Sequence, residues 1–183
     1  MKCRELVSAK NLRLARLCGL ALALPACAQP PITSEDDPRL GPPVALAING
    51  FNYTDTVISY FSVNGQGAGN LVVSSPTSGG GGTVCCVVWY PITELPWPIK
   101  VEWMRVVNGR DRWCKKTVML NGPVPDHPTA FGVHFMPDGD IQVEITKGYP
   151  DLKLRLKNFD DGHRHETGNV IHDEEVARCR DVR

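Results

Sequence analysis

The feature that most constrains this fold is a series of short β-branched and aromatic runs, each closed by Gly, Asn or Pro. Such runs are typical of strands, because these side chains pack well on a pleated surface and the closing residues favour turns. Many short strands with this punctuation predict an all-β domain, either a small antiparallel sandwich or an open barrel. The strand candidates are residues 44–48, 57–63, 71–73, 83–90, 100–107, 110–120, 131–135, 140–146 and 152–156.

Three of these segments carry further expectations. Residues 83–90 form the most apolar run, which predicts a central strand. The alternation of Leu with Lys and Arg over residues 152–156 predicts a further amphipathic strand. The chain beyond it is polar, and residues 172–178 predict a short helical or irregular tail that is tethered by Cys179.

Two turn signals predict β-hairpins. Asn108-Gly109 is typical of a two-residue type I′ turn between residues 100–107 and 110–120. Residues 136–139 (MPDG) are the second turn signal and join residues 131–135 to residues 140–146. The first turn sets a register that opposes Glu102 to Lys115, Met104 to Trp113 and Arg105 to Arg112. Because like charges opposite each other are unfavourable, a bulge that shifts this register is an alternative.

The N-terminus resembles a bacterial lipoprotein signal. Five basic residues precede the apolar run 17–24, which is too short to span a bilayer, and Leu24-Pro25-Ala26-Cys27 follows as a lipobox. We expect residues 1–26 to be the signal peptide and the Cys27 thiol to carry diacylglycerol, with a further acyl chain such as palmitate on the new N-terminus. The alternative is an ordinary secretory signal that is cut after Ala26 or Ala28.

This organisation predicts an envelope protein. Residues 27–43 are rich in proline and form a solvated tether, and residues 44–183 form a single β-rich domain. The residue after Cys27 is Ala28 rather than Asp, which favours the outer membrane, with the domain facing the periplasm. The membrane would be contacted through the N-terminal lipid.

Charge narrows the partners. The whole chain has 20 basic and 20 acidic residues, and residues 1–26 contain five basic residues and one acid. Residues 27–183 therefore contain 15 basic and 19 acidic residues, a net charge of −4. This balance argues against nucleic acid as a partner, and against adhesion of the protein surface to anionic lipid.

Four cysteines remain after the signal peptide and Cys27 are set aside, namely Cys85, Cys86, Cys114 and Cys179. An even number in an oxidising compartment predicts two disulfides. A bond between Cys85 and Cys86 requires a strained eight-membered ring, so we expect each of the two to pair outward, with Cys114 and Cys179. The alternative is that one or both remain buried free thiols.

Catalytic and metal-binding patterns are weak. The glycine run 78–82 lacks the Lys-Ser/Thr and the following helix of a phosphate-binding loop, so we expect residues 74–82 to be a mobile loop. His163, His165, His172 and Asp173 have no metal-ligand spacing. No nucleophile with a base can be named. We therefore expect no metal, no cofactor and no enzymatic activity.

Several segments resemble a family of small proteobacterial lipoproteins, the domain-of-unknown-function family DUF3304. They are residues 49–55 (NGFNYTD), 61–65 (FSVNG), 78–82 leading into Val84-Cys85-Cys86, and the strand that contains Trp103. The resemblance covers roughly residues 44–145 and implies a β-rich domain that faces the periplasm, without established catalytic residues. The genes of family members look like neighbours of genes for type VI secretion phospholipase effectors.

The resemblance implies an immunity lipoprotein that binds and blocks a toxic phospholipase. The alternative is a structural or ligand-binding envelope lipoprotein without a toxin partner. In the first case we expect a loop-rich end of the domain to bind the toxin. The residues expected to contact it are Phe51, Tyr53 and Asp55 in one turn, and Gly79, Gly80, Gly81 and Gly82 in the glycine-rich loop.

Overall fold

The structure is a computed structural model that describes residues 41–157, 159, 162–164 and 177–182. Within these ranges every regular element is a β-strand, and no helix is long and apolar enough to cross a membrane. The strands are β1 (Val44–Asn52), β2 (Ile58–Val63), β3 (Gln66–Leu71), β4 (Gly80–Trp89), β5 (Trp97–Val107), β6 (Arg110–Leu120), β7 (Ala130–Phe135), β8 (Ile141–Thr146) and β9 (Arg178–Val182).

The strands form two sheets. The first sheet has the order β4-β1-β7-β8, and the second has the order β3-β2-β5-β6-β9. All neighbouring strands are antiparallel except β1 and β7, which are parallel. The predicted all-β fold is confirmed as a sandwich-like arrangement of two sheets, one of which is mixed.

One hydrophobic core lies between the sheets. Its aromatic members include Phe61 and Trp103 from the second sheet and Phe135 from the first, and both Phe61 and Trp103 contact Phe135 edge to face. Their exposed fractions are at most 1%. Burial of such large side chains supplies most of the stabilisation of a domain of this size.

The hairpin predicted at Asn108-Gly109 is confirmed in every pair. Both turn residues have positive φ, +51° and +72°, as a type I′ turn requires. Glu102 opposes Lys115, Met104 opposes Trp113 and Arg105 opposes Arg112, without a shift in register. The hairpin of β7 and β8 around residues 136–139 is also confirmed.

Some strand predictions were wrong. Strand β4, which contains most of residues 83–90, lies at the edge of its sheet and not at its centre. Residues 152–156 form no strand, although their leucines are half-buried. Residues 66–71 form β3, because Asn64-Gly65 makes a second turn with positive φ and reverses the chain. Arg178 begins strand β9, whereas residues 172–176 lie outside the described ranges.

Candidate functional site

The turn predicted to contact a partner is buried in the structure. Phe51 and Tyr53 have no exposed surface, and Asp55 is 7% exposed. The reason is that the ring of Phe51 packs against those of His134 and Tyr149, and the Tyr53 hydroxyl accepts a bond from the backbone N–H of Lys153. These side chains therefore lie beneath the surface and do not form part of it, which corrects the expectation that they contact the partner themselves.

The loop before β4 is an ordered turn. Ser75 N donates to Ser78 O at 2.8 Å, and the Ser75 hydroxyl accepts a bond from Ser78 N at 3.0 Å. Gly80, the first residue of β4, has a φ of +93°, and a Cβ there would overlap the carbonyl oxygen of Val72. The expectation of a mobile loop over residues 74–82 is therefore corrected in its second half, where the chain enters a strand.

The glycines of this run make room for core side chains. A Cβ on Gly79 would overlap the ring of Phe51, and a Cβ on Gly81 would overlap the side chain of Leu71. Gly82 differs, since a Cβ there would meet no atom within 4 Å. The run thus works as a packing element that lets β4 approach β1 closely.

A buried polar row lies beneath this end of the sandwich. His134 Nε2 lies 2.7 Å from the Glu144 carboxylate, and its Nδ1 lies 3.3 Å from the Tyr53 hydroxyl. Because a carboxylate only accepts, Nε2 carries the proton that is donated to Glu144, and Nδ1 accepts from Tyr53. The Tyr53 oxygen in turn accepts a bond from the backbone N–H of Lys153 at 2.9 Å.

The electrostatics of the row follow from burial. Desolvation lowers the pKa of His134, despite the opposing effect of Glu144, so the ring is neutral at pH 7. The hydrogen bond from His134 lowers the pKa of Glu144 and keeps it ionised. Burial raises the pKa of Tyr53, which stays protonated. These three states agree with the direction of each hydrogen bond.

The surroundings of His134 assign it a bracing role. The ring of Phe51 stacks on it with centroids 4.3 Å apart and planes 14° apart, and His134 has no exposed surface. Gly132 leaves room for the bond to Glu144, since a Cβ there would lie 3.1 Å from atoms of both side chains. Both ring nitrogens are engaged and covered, so the row positions the loops above it.

Two buried arginines fix the same loops from inside. Each is 1% exposed. Arg105 donates to the carbonyl of Thr56 at 2.9 Å and to the hydroxyl of Thr54 at 3.0 Å. Arg164 donates to the carbonyl and hydroxyl of Ser74. These charge-assisted bonds hold both loops in one conformation, because breaking them would leave a buried cation unpaired.

An exposed aromatic side chain lies above the stacked rings of Phe51 and His134. Tyr149 is 59% exposed, and its ring contacts Phe51 edge-on at 5.8 Å. Arg155 is exposed and donates to the carbonyl of Pro76 at 2.8 Å. We call residues 51–55, 74–79, 149 and 155 the loop end. Its exposed side chains include Thr77, Ser78, Tyr149 and Arg155.

Little in the sequence points to the contact between His134 and Glu144. His134 lies in a strand whose six residues are all buried, and Glu144 alternates with apolar neighbours like any surface residue. The two become partners only because Gly132 opposes Glu144 across the hairpin and leaves the space into which both side chains reach. A histidine inside an otherwise apolar strand is the one available hint.

All four predicted cysteines are in disulfides, but the predicted pairing was wrong. Cys85 bonds to Cys86, and Cys114 bonds to Cys179. The prediction rested on the strain of the eight-membered ring, whereas Cys85 and Cys86 lie at an irregularity of β4, between the pairs Leu46–Val87 and Ile48–Val84. A bulge breaks the alternation that would send adjacent side chains to opposite faces. Cys114 and Cys179 face each other directly across β6 and β9.

The remaining predicted sites fall partly outside the description. Cys27, His165, His172 and Asp173 lie outside the described residues, and His163 is exposed. Among the residues that the structure describes, no cluster of three or more His, Cys, Asp and Glu side chains could hold a metal ion.

Comparison with family models found a match over half of the chain. The family described as "Protein of unknown function (DUF3304)" matches residues 51–143. This segment begins in β1, ends in β8 and includes the glycine run, the Cys85–Cys86 disulfide and His134. No curated protein and no solved structure matched the chain.

Proposed function

This chain belongs to the DUF3304 family, and we propose that it is a lipid-anchored binding protein of the outer membrane that faces the periplasm. In this proposal it is an immunity protein that neutralises a type VI secretion phospholipase effector. The sequence support is the lipobox at Leu24–Cys27, the proline-rich tether of residues 27–43, and the resemblance described above. A lipid anchor would confine the inhibitor to the membrane that the phospholipase attacks.

The loop end is the observation that carries the binding proposal. Exposed Tyr149 lies on a platform of Phe51 and His134, and two buried arginines hold the loops beside it. Tyrosines anchored in this way are frequent among the residues that dominate interface energy. Because the loops are already ordered, binding would cost less conformational entropy than it would for a mobile loop.

Inhibition by such a surface requires no catalytic group. A specific protein interface of ordinary size buries about 800 Å² on each partner, which one end of a sandwich can supply. The toxin would lose access to its lipid substrate while the complex persists. Without a toxin partner, the same anchored domain would act as a structural or ligand-binding protein of the envelope.

Affinity capture tests this proposal. The full chain, purified from the envelope, should retain the effector encoded beside its gene. Tyr149→Ala should weaken that binding about tenfold or more, because interface anchors contribute about 2 kcal/mol or more each. Val106→Ala, a matched control that is 57% exposed at the hairpin of β5 and β6, should bind like the parent.

A chain that captures no effector, with normal folding, would contradict immunity and favour the envelope protein without a toxin. Capture that is equally weakened by Val106→Ala would contradict the placement of the interface at the loop end.

A further inference from the structure

A groove on the outer face of the second sheet concentrates positive charge. It has a volume of about 460 Å³ and is lined by Lys100, Lys115, Lys116, Thr117 and Arg178. A hollow of about 200 Å³ adjoins it, shares Lys115 and Arg178, and adds Trp113, Arg180 and the acidic side chain of Glu102. We call the surface formed by Lys100, Lys115, Thr117, Arg178 and Arg180 the cationic groove.

The arrangement of these charges is unfavourable for the isolated fold. Lys115 on β6 lies directly opposite Arg178 on β9. Like charges opposite each other destabilise a sheet. The next pair along the same two strands is Cys114 and Cys179, whose disulfide fixes the charged pair in register. Two exposed cations that are held opposite each other make this part of the surface favourable for an anion.

The protein compensates part of this charge, since Glu102 on β5 lies directly opposite Lys115. Lys100 pairs with Glu102 at 2.8 Å, and Lys116 pairs with Asp140 at 3.2 Å. Within the described part of the chain, Lys115, Arg178 and Arg180 make no ion pair. At least three exposed cations therefore share one face of a chain whose formal net charge is zero.

Aromatic and apolar side chains continue this face. Trp113 is half-buried, and its ring lies 5.5 Å from that of Tyr60. Trp113 opposes Met104 on one side and Arg180 on the other. Amphipathic aromatic rings beside Lys and Arg are typical of surfaces that contact the headgroup region of a membrane.

We propose that the cationic groove docks on the anionic phospholipid headgroups of the membrane to which the chain is anchored. Positive charge matches the phosphate groups, and the open face of a sheet matches an extended lipid surface better than a single small anion. The predicted tether of residues 27–43 reaches roughly 50 Å when extended, so the domain stays close to that membrane. The net charge of −4 for residues 27–183 argues against contact between the protein surface as a whole and anionic lipid. Contact at the cationic groove depends instead on the local charge of its Lys and Arg side chains.

This inference takes the anchor from the proposed function, and its test separates the two. The full chain purified from the envelope is mixed with vesicles of phosphatidylcholine alone, or with vesicles that also contain phosphatidylglycerol. Sedimentation of the chain with vesicles of phosphatidylcholine alone shows that the N-terminal lipid has inserted. Acetylation of lysines, followed by peptide mass mapping, shows whether the vesicle surface covers the cationic groove.

We expect phosphatidylglycerol to protect Lys100 and Lys115 from acetylation at low salt, and added salt to remove the protection. Lys147 and Lys157, which are exposed elsewhere, serve as internal controls and should be acetylated equally in both vesicles. In the double variant Lys115→Gln/Arg178→Gln, the ratio of docked to undocked domain should fall about thirtyfold, because each basic residue near an anionic surface contributes roughly a factor of five.

The double variant Lys147→Gln/Lys157→Gln removes the same charge outside the groove and should dock like the parent. Equal acetylation of Lys100 and Lys115 in both kinds of vesicle would overturn the proposal. Protection that is present without phosphatidylglycerol would also overturn it and assign the groove to an acidic protein segment. A chain that fails to sediment with phosphatidylcholine but is protected by phosphatidylglycerol would contradict the anchor alone.

Discussion

The glycine run that opens β4 gives the sharpest test of the packing described above. Gly81→Ala adds a methyl group that overlaps the Leu71 side chain and lies 2.9 Å from the carbonyl oxygen of Gly50. Leu71 has no exposed surface, so its side chain cannot swing into solvent. Gly82→Ala is a matched control in the next position, because its methyl group meets no atom within 4 Å.

The two substitutions should change the free energy of unfolding in different directions. Overpacking a well-packed site costs about 1–3 kcal/mol. Replacing Gly by Ala returns about 0.4–1 kcal/mol, since the unfolded chain loses conformational freedom. We therefore expect Gly81→Ala to lower the free energy of unfolding by about 1–2 kcal/mol. Gly82→Ala should leave it unchanged or raise it by up to about 1 kcal/mol.

Thermal unfolding followed by circular dichroism, under non-reducing conditions, measures the difference. For a domain of this size, a gap of about 2 kcal/mol corresponds to about 6 °C between the two midpoints. Equal midpoints would refute the description of the run as a packing element. A comparable loss in both variants would show that the segment needs the flexibility of glycine, as the sequence interpretation expected.

Two further outcomes follow from the structure, and a third follows from the lipobox in the sequence. The folded-state pKa of His134 is lowered, mainly by burial, so its contribution to stability is complete above about pH 6.5 and is lost as the pH falls. The midpoint of thermal unfolding should therefore decrease from pH 7 to pH 5, and the decrease should be less steep in His134→Gln. Because the folded-state pKa of Glu144 is also lowered, the midpoint should decrease again below about pH 4.5. Cys114→Ala/Cys179→Ala should lose about 2–5 kcal/mol of unfolding free energy, because the disulfide closes a long loop. Cys27→Ala should release the protein from the membrane fraction or leave it unprocessed.

Each of these outcomes can fail. A midpoint that rises as the pH falls would contradict a neutral buried His134. Non-reducing peptide mapping that joins Cys85 or Cys86 to Cys114 or Cys179 would contradict the observed pairing. Mature protein with an unmodified Cys27 in the soluble fraction would contradict the lipid anchor.

The parts of the fold that local chemistry determines could be predicted from the sequence. Asn108-Gly109 sets a turn whose φ angles leave one register, and every cross-strand pair of that hairpin followed. The alternation of Ile141, Val143 and Ile145 defined β8 in the same way. The parallel pairing of β1 with β7 joins segments about 80 residues apart, and no local pattern encodes it.

The candidate site was predicted less well, because burial depends on neighbours that lie far away in sequence. In the sequence Phe51 and Tyr53 resemble exposed aromatics of a turn, but in the structure the side chains of His134 and Tyr149 and the backbone of Lys153 contact and bury them. The exposed aromatic of the same end is Tyr149, which follows β8. Tyr149 therefore replaces Phe51 and Tyr53 as the aromatic side chain that we expect to contact a partner.

Survival of cells under attack by the effector tests the central claim most directly. Cells that lack this gene should die when the neighbouring phospholipase effector is delivered to their periplasm, and the full chain should restore survival. A chain without residues 1–26 should not restore it, because the domain would be misplaced, and Tyr149→Ala should restore it only in part. If cells that lack the gene survive as well as the parent, the protein is not an immunity protein.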